Sequence, residues 1–347
     1  MSRRVHGTRD DAELALARLR VARHAGQLPQ ASTSAVTVGS LLDRYVEEAQ
    51  VGRVQLRPKT LVTARSAARA MSSTRLTSGK AFGDVTLSAL TWREIEELYG
   101  EMARRGLSAA WVRRCATVLS RALDRGRKYG LLPTNPAKDA DRPKLVRTKP
   151  YSPAGTAVRE ALATAQETDP EIADFAAIVA NAGMRTSELL GLRWEDVDEE
   201  ADELHLAWAV TDGGPGIGVV RMQLKRSDWR DVPLTPAALD AIRRRRERRV
   251  AASGSVRPQA YVFSGPGVGS SPLRPDRLSE RWLAARGGSA VTLLALRHYV
   301  ATTMLDAGVP YRTVAELLGN SEATLRLHYD GRTNVGKRQA IAALCQG

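Results

Sequence analysis

Cysteine is scarce in this sequence, and long apolar runs are missing. The 347 residues include two cysteines, Cys115 and Cys345, in a pattern that suits neither a disulfide framework nor a cysteine zinc site. No run of about 18 apolar residues occurs, so the pattern predicts no membrane-spanning helix. The first residues mix charged side chains and lack the apolar block of a signal peptide. We therefore expect a soluble protein that stays in the cytoplasm.

Acidic residues are outnumbered by basic ones. The sequence has 38 Asp and Glu against 52 Lys and Arg, which gives a formal net charge of +14. A surplus of this size favours a polyanionic partner such as nucleic acid. An ordinary protein from an arginine-rich proteome can carry the same excess of basic residues. Net charge alone therefore does not distinguish it from a protein that binds nucleic acid. The length predicts two domains, and the 43% hydrophobic content indicates packed cores.

The first part of the sequence predicts a helical domain preceded by a short segment. Residues 1–34 contain one polar helix pattern and a Ser/Thr/Ala-rich stretch. Helical periodicity then indicates helices over residues 38–50, 58–72, 91–105 and 108–129. These helices make up a domain that we place at residues 36–139.

A basic connector over residues 140–153, punctuated by prolines, follows this domain. In the helix predicted over 108–129, apolar residues share one face and arginines occupy the others. A solvated arginine face is as good an interpretation as contact with a DNA backbone. The candidates for such contacts on the helix and connector are Arg113, Arg114, Arg121, Lys144 and Arg147.

Beyond the connector the pattern changes to mixed α/β, and we place a second domain at residues 154–347. Helices are predicted over 154–167 and 170–182, strands over 203–211, 217–225 and 230–234, and mostly helices thereafter. The whole chain is expected to be mostly α-helical with a small antiparallel sheet. The arginine run from Arg243 to Arg249 is interpreted as a solvated helix face without a catalytic role.

The segment from Asn181 to Asp198 holds the first candidate functional residues. Gly183 can end one helix and Thr186 or Ser187 can begin the next, which places Arg185 at a turn where its guanidinium can face a phosphate. Glu188 is positioned to orient this arginine from behind. Without further motifs, Arg185 and Glu188 would be interpreted as an exposed ion pair at i,i+3 that contributes little to stability.

Further motifs follow in a fixed order. Lys225 lies in a predicted strand region, Arg297 and His298 stand side by side ahead of a predicted helix, and Tyr329 follows Asn320 by nine residues. Together with the segment around Arg185, these motifs resemble the tyrosine recombinase (phage integrase) family, in particular integrases of actinobacterial mobile elements. The resemblance covers about residues 36–346.

The resemblance implies an architecture and a chemistry. It implies a helical, SAM-like core-binding domain over 36–139 and a mixed α/β catalytic domain over 154–347, with residues 1–34 as the remnant of an arm-binding domain. Tyr329 would attack DNA and form a 3′-phosphotyrosyl intermediate. The other implied catalytic residues are Arg185, Arg297 and Lys225, with Glu188, His298 and Asn320 in supporting positions.

In this scheme the two arginines neutralise the phosphate, and Lys225 protonates the leaving 5′ oxygen. Arg230 is interpreted as a DNA-backbone contact or a solvated residue. The family implies neither cofactor nor metal, and the sequence carries no P-loop and no metal-binding motif. The expected partners are double-stranded DNA attachment sites, further copies of the chain in a tetramer on DNA, and an accessory directionality factor.

Two positions depart from the family pattern. Leu294 stands where the histidine of the His-x-x-Arg motif is expected, and Asn320 stands where a later histidine or tryptophan usually lies. Loss of a positioned acid or base typically costs about 10²- to 10⁴-fold in rate. Two alternatives therefore accompany the recombinase interpretation: a DNA-binding regulator that has lost cleavage, and a relaxing topoisomerase of the related type IB class.

Overall fold

The structure is a computed structural model that describes residues 36–145, 150–214, 217–225, 228–265 and 269–329. Its contacts divide the chain into two compact units, which separate between Arg147 and Thr148. This division falls within the connector expected at 140–153. The predicted N-terminal segment and Arg147 lie outside the described residues.

The first unit is built from helices at the positions that periodicity predicts. Each helix begins and ends within one residue of the predicted bounds, and the side-chain hydroxyls of Thr37, Thr91 and Ser108 cap three of them. The apolar face of each helix packs into a single core. The helices are α1 (Val38–Gln50), α2 (Pro58–Ser72), α3 (Trp92–Arg104) and α4 (Ala109–Lys128).

A buried carboxylate joins α1 to α4. Glu48 is 5% exposed, and Arg125 Nη2 donates to its Oε2 at 2.8 Å. Burial alone would raise the pKa of Glu48, but hydrogen bonds from Tyr129, Arg125 and Arg44 outweigh it and lower the pKa to about 2. The carboxylate therefore stays charged and paired at neutral pH.

The second unit is mixed, as expected, and its helices outnumber its strands. Its helices are α5 (Gly155–Thr168), α6 (Pro170–Ala182), α7 (Thr186–Gly191), α8 (Pro236–Ser253), α9 (Pro275–Ala285), α10 (Leu293–Asp306), α11 (Tyr311–Leu318) and α12 (Glu322–Tyr329). The strands are β1 (Val197–Asp198), β2 (Glu203–Leu206), β3 (Trp208–Asp212), β4 (Val219–Gln223) and β5 (Arg230–Pro233). The predicted fold class, mostly α with a small antiparallel sheet, is confirmed, although the strands are divided between two sheets. Within the described ranges, no helix is both long and apolar enough to cross a membrane.

The strands form two sheets, which corrects one sequence prediction. A single strand was predicted over 203–211, but the chain changes partner at Ala207: β2 pairs with β1 and β5, whereas β3 pairs with β4. Large apolar residues alternate through this point in the sequence, at Leu204, Leu206, Trp208 and Val210, so a period-2 pattern cannot reveal the break. The break depends on the strands with which β2 and β3 pair, and these lie elsewhere in the sequence.

The arginine-rich run of α8 is a second correction, because it is not a solvated face. Arg245 is 8% exposed and pairs with Glu171 at 2.7 Å. Arg244 and Arg248 both pair with Asp174, which is fully buried in α6. The acidic partners lie about 70 residues earlier in the sequence, so the run read alone gives no sign of them. These pairs join α8 to α6.

Candidate active site

The turn between α6 and α7 places Arg185. Gly183 ends α6 in the left-handed conformation (φ 66°), and Arg185 is the residue immediately before α7. The space around Gly183 is so tight that a Cβ there would lie 2.5 Å from a methyl carbon of Leu318. Only glycine fits both the conformation and the close approach. The turn therefore fixes Arg185 against the end of α11.

Glu188 lies behind this turn and holds two arginines. Arg185 Nη1 donates to Glu188 Oε1 at 2.7 Å, and Arg230 Nη2 donates to Oε2 at 2.7 Å. The carboxylate is 1% exposed, so the pair is not a surface pair. Burial would raise the pKa of Glu188, but the contacts with Arg230 and Arg185 outweigh it and hold the pKa below its ordinary value.

Arg230 is the residue of this site that the sequence interpretation missed. Its side chain is 9% exposed, and besides Glu188 it donates from Nε to the carbonyl of Leu317 at 2.8 Å. The interpretation as a solvated residue is therefore wrong, while the alternative of a DNA-backbone contact stays a prediction. In sequence it is one arginine among many at the start of a short strand, and its partners are 42 and 87 residues away.

Arg297 is the most deeply set of the candidate arginines. It lies on α10, is 8% exposed, and donates to the carbonyls of Gly183 and Leu318, each at 2.7 Å. Burial, reinforced by the neighbouring charge of Arg185, lowers the pKa of Arg297 to about 10. The guanidinium is still charged at neutral pH. Arg185 and Arg230 bond Glu188, and Arg297 lies near enough to feel its charge, so among these four residues positive charge exceeds negative charge and an anion can balance it.

Asn320 connects the two candidate phosphate-binding arginines. Its side-chain oxygen accepts from Arg185 Nη2 at 2.9 Å and from Arg297 Nη2 at 3.1 Å. Because two donors converge on the oxygen, the amide nitrogen is left to donate elsewhere. The side chain that departs from the family pattern therefore fixes the spacing of both guanidinium groups.

Gly319 makes room for this arrangement. It ends α11 in the left-handed conformation (φ 63°), and its carbonyl accepts from Arg185. A Cβ at Gly319 would lie 2.6 Å from Arg230 Nη1 and 3.2 Å from Arg185 Nη1. A side chain at this position would push against both arginines at once.

Tyr329 lies at the end of α12 and is 3% exposed. Its ring packs in a small apolar cluster with Val300 and Leu325, and its hydroxyl forms a hydrogen bond with Nδ1 of His298. The two ring centroids are 5.8 Å apart. The residue implied to be the nucleophile is therefore held by a histidine one position after Arg297.

An open cleft of about 670 Å³ adjoins these residues. Leu294, 63% exposed, lies at this cleft. It is in the first turn of α10, on the residue that aligns with the missing histidine. The polar and charged side chains that line the cleft are Arg185, Thr186, Ser279, Arg286, Thr292, Arg297, His298, Asn320, Thr324 and His328.

The structure does not place Lys225 with the other candidates. Lys225 is exposed, two residues after the end of β4, and is not among the residues that line the cleft. The turn that contains it leads from one sheet to the other, since β4 pairs with β3 and β5 with β2. Arg185, Glu188, Arg297, His298, Asn320 and Tyr329 do come together.

The DNA-contact candidates of the first unit have different surroundings. Arg114, Arg121 and Lys144 are exposed. Arg113 is partly buried and donates to the carbonyl of Pro143 at 3.1 Å, so part of its bonding capacity is used within the unit. Exposure suits contact with a phosphate backbone but does not by itself indicate one.

Known proteins have sequences similar to this chain. The profile of the phage integrase family matches residues 156–330, about half of the chain. The chain is 29% identical over 249 residues to the tyrosine recombinase XerC of Xylella fastidiosa strain M23, covering 71% of this chain and 77% of that protein. It is 30% identical over 235 residues to XerC of Xanthomonas axonopodis pv. citri, covering 65% and 68%.

Solved structures show the same fold. The Tn1549 transposon integrase, in complex with a circular intermediate DNA, superposes with a TM-score of 0.71 at 18% identity, over 89% of this chain and 99% of that one. A lambda integrase tetramer bound to a Holliday junction gives a TM-score of 0.60 at 17% identity, over 94% and 89%.

The fold, the family match and the sequence relatives define a tyrosine-type DNA strand-exchange enzyme. The chain belongs to the phage integrase family, and it is a site-specific DNA recombinase. The sequence resemblance is confirmed at the level of the family, while the actinobacterial source stays a prediction. In the part of the chain that the structure describes, no group of three His, Cys, Asp or Glu side chains is placed to hold a metal ion.

Proposed function

We propose that Tyr329 cuts and rejoins DNA in the site formed by Arg185, Arg297, Glu188 and Asn320. The observation that carries the proposal is the convergence of both guanidinium groups on the side-chain oxygen of Asn320, at 2.9 and 3.1 Å. Two arginines held at fixed spacing match the non-bridging oxygens of a phosphodiester. Their excess charge is placed to stabilise the charge that develops during displacement at phosphorus.

The reaction is an exchange of phosphodiester bonds. The hydroxyl oxygen of Tyr329 attacks the phosphorus, the bond to the 5′ oxygen breaks, and the strand is left joined to the protein through a 3′-phosphotyrosyl bond. A 5′ hydroxyl of a partner strand then attacks the same phosphorus and releases the tyrosine. The number of phosphoester bonds is unchanged, so the exchange needs no ATP.

Lys225 is the proposed proton donor to the leaving 5′ oxygen. An ammonium group can supply this proton, and an exposed side chain on the turn after β4 is accessible to bound DNA. Arg230 and Glu188 would position Arg185 without contacting the phosphate. Glu188 keeps the guanidinium oriented, and Arg230 balances the second oxygen of that carboxylate.

The proposed partners are duplex DNA attachment sites, a tetramer of this chain on DNA, and an accessory directionality factor. The lambda integrase tetramer on a Holliday junction has a similar fold and supports the assembly by analogy. Arg113, Arg114, Arg121, Lys144 and Arg147 are the proposed phosphate contacts of residues 36–153. Such contacts release counterions, so affinity for DNA should fall steeply with salt. We place the protein at the nucleoid, where its substrate lies.

The test uses nicked suicide DNA that carries the attachment site and traps a cut strand. The wild-type protein should form a denaturant-resistant protein–DNA adduct, and Tyr329→Phe should bind the same DNA and form none. Tight binding by the wild type without any adduct would overturn the proposal in favour of a DNA-binding regulator. Supercoil relaxation without strand exchange between sites would support the topoisomerase alternative.

Gly319→Ala should slow adduct formation by about 10²-fold, the loss expected for a displacement of about 1 Å in a catalytic group. The added methyl would lie 2.6 Å from Arg230 Nη1 and 3.2 Å from Arg185 Nη1. The matched control is Gly254→Ala, since Gly254 also ends a helix at positive φ (74°) but has no atom within 4 Å of its Cβ position. Equal losses in both variants would contradict the role of close packing at Gly319.

A further inference from the structure

We propose that His298 accepts the proton of Tyr329 during strand cleavage. This inference rests on the proposed function of Tyr329. It assigns the proton-accepting role to a residue whose position in the sequence pattern gives it only a supporting place. The observation behind it is the hydrogen bond between His298 Nδ1 and the hydroxyl of Tyr329.

A phenol must lose its proton to attack phosphorus efficiently, and the ordinary pKa of tyrosine is about 10. The histidine that the family pattern would place at position 294 is replaced by Leu294, which cannot accept a proton. Asn320 cannot serve either, because an amide oxygen is a very weak base and this one already accepts from Arg185 and Arg297. Those arginines are protonated at neutral pH.

His298 also connects a buried group to water. Tyr329 is 3% exposed, whereas His298 lines the open cleft. A proton that passes from the hydroxyl to Nδ1 can therefore leave from the imidazole into solvent. The role requires the neutral tautomer that carries its hydrogen on Nε2, which leaves Nδ1 as the acceptor.

Basic side chains line the cleft beside His298. The charged and titratable side chains that line the same cleft are Arg185, Arg286, Arg297 and His328, and no carboxylate is among the described lining residues. A cation formed on His298 would meet electrostatic repulsion from these arginines. The scissile phosphate brings negative charge into the cleft, which offsets that repulsion when the proton is transferred.

Cleavage removes one proton from the nucleophile and adds one to the leaving group. The hydroxyl proton moves to His298 Nδ1 as the tyrosine oxygen bonds to phosphorus, and the bond from phosphorus to the 5′ oxygen breaks. That oxygen takes a proton from the proposed acid, Lys225. In the rejoining step a 5′ hydroxyl attacks, and His298 returns its proton to the tyrosine oxygen as the phosphotyrosyl bond breaks.

The main test compares the wild type with His298→Asn in single-turnover adduct formation on nicked suicide DNA. The asparagine amide can occupy the place of Nδ1 and keep a hydrogen bond to the hydroxyl, but it cannot take the proton. We expect the rate to fall by about 10²- to 10⁴-fold. A matched control is His205→Asn, which changes an exposed histidine on β2 and should keep the wild-type rate. A wild-type rate in His298→Asn would overturn the inference.

The pH profile separates a proton acceptor from a passive anchor. The wild-type rate should rise through the titration of a histidine, ordinarily near pH 6.5, and then level off. In His298→Asn the rate should keep rising with pH, because it would then follow ionisation of the tyrosine itself. If the rate of His298→Asn still levels off at high pH and the rate of His328→Asn does not, the role belongs to His328. That result would overturn the inference.

A substrate with sulfur in place of the 5′ oxygen distinguishes the two proton transfers. A thiolate leaves without protonation, so this DNA should restore the rate of Lys225→Ala and leave His298→Asn slow. Full restoration of His298→Asn would contradict its role as the acceptor. The two proposals also fail differently. A wild type that forms no adduct overturns the function of Tyr329, whereas normal adduct formation by His298→Asn overturns only this inference.

Discussion

Arg297→Ala is expected to lower the rate of adduct formation by about 10³- to 10⁵-fold, the range typical of an arginine that stabilises charge in phosphoryl transfer. The substitution removes a guanidinium that is 8% exposed and that shares the oxygen of Asn320 with Arg185. Most of this loss should lie in the cleavage step, because affinity for DNA comes from many phosphate contacts. Single-turnover rates and binding isotherms, measured on the same suicide DNA, separate the two effects.

Because Arg297 also bonds the carbonyls of Gly183 and Leu318, its loss could destabilise the unit as well as the reaction. Arg297→Lys separates loss of catalysis from loss of stability, since lysine keeps the charge but cannot reproduce the planar guanidinium. Arg312→Ala is the control, because Arg312 is highly exposed on α11. Cleavage by Arg297→Lys at the wild-type rate would contradict the assigned role.

Glu188→Gln is expected to destabilise the second unit by about 3 kcal/mol, within the range for breaking a buried ion pair from one side. The substitution leaves Arg185 and Arg230 beside an uncharged amide, and Arg230 is 9% exposed. Urea unfolding of the full chain, followed by a probe in the second unit, measures this effect. Glu195→Gln is the matched control, because the Glu195 pair with Arg193 is at 3.4 Å and partly exposed, and such pairs contribute about 0–1 kcal/mol.

The same carboxylate predicts how the stability of this unit depends on pH. The pKa of Glu188 in the folded protein is held below its ordinary value of 4.5. The stability that ionised Glu188 contributes is therefore fully present above about pH 4.5. It is lost as the pH falls through the lower pKa that Glu188 has in the folded protein. In Glu188→Gln the acid-induced loss of stability should be smaller than in the wild type. Equal acid sensitivity in the two proteins would contradict the assigned pairing.

The sequence predicts those parts of the site that depend on local chain geometry. The helix bounds follow from apolar periodicity and from capping residues such as Ser108, and the turn at Gly183 follows from a glycine after an apolar helix. The position of Arg185 is a consequence of that turn. These features depend on residues within a few positions of one another, so a pattern read along the chain can show them.

Features that depend on distant partners cannot be predicted in this way. Arg230 differs in no local respect from a solvated arginine until Glu188 and the carbonyl of Leu317 are placed beside it. The paired arginines of α8 are a second example, because their acidic partners lie on α6. In both cases the charge pattern shows that a partner is needed but not where it lies.

The departures from the family pattern acquire a physical explanation in the structure. Asn320 is not simply a lost histidine, because its oxygen accepts from both candidate phosphate-binding arginines. Leu294 is exposed at the cleft and cannot accept a proton, which is one reason for the role inferred for His298. The contact between His298 and Tyr329 is a side-chain geometry that spacing alone cannot reveal.

The most direct measurement for the central claim is to locate the amino acid that becomes joined to DNA. The adduct from the suicide substrate is digested with trypsin and nuclease, and the nucleotide-bearing peptide is sequenced by mass spectrometry. We predict the phosphonucleotide on Tyr329, in the peptide of residues 327–332 that cleavage after Arg326 and Arg332 releases. A nucleotide on any of the other seven of the eight tyrosines, or on a serine, would contradict the account.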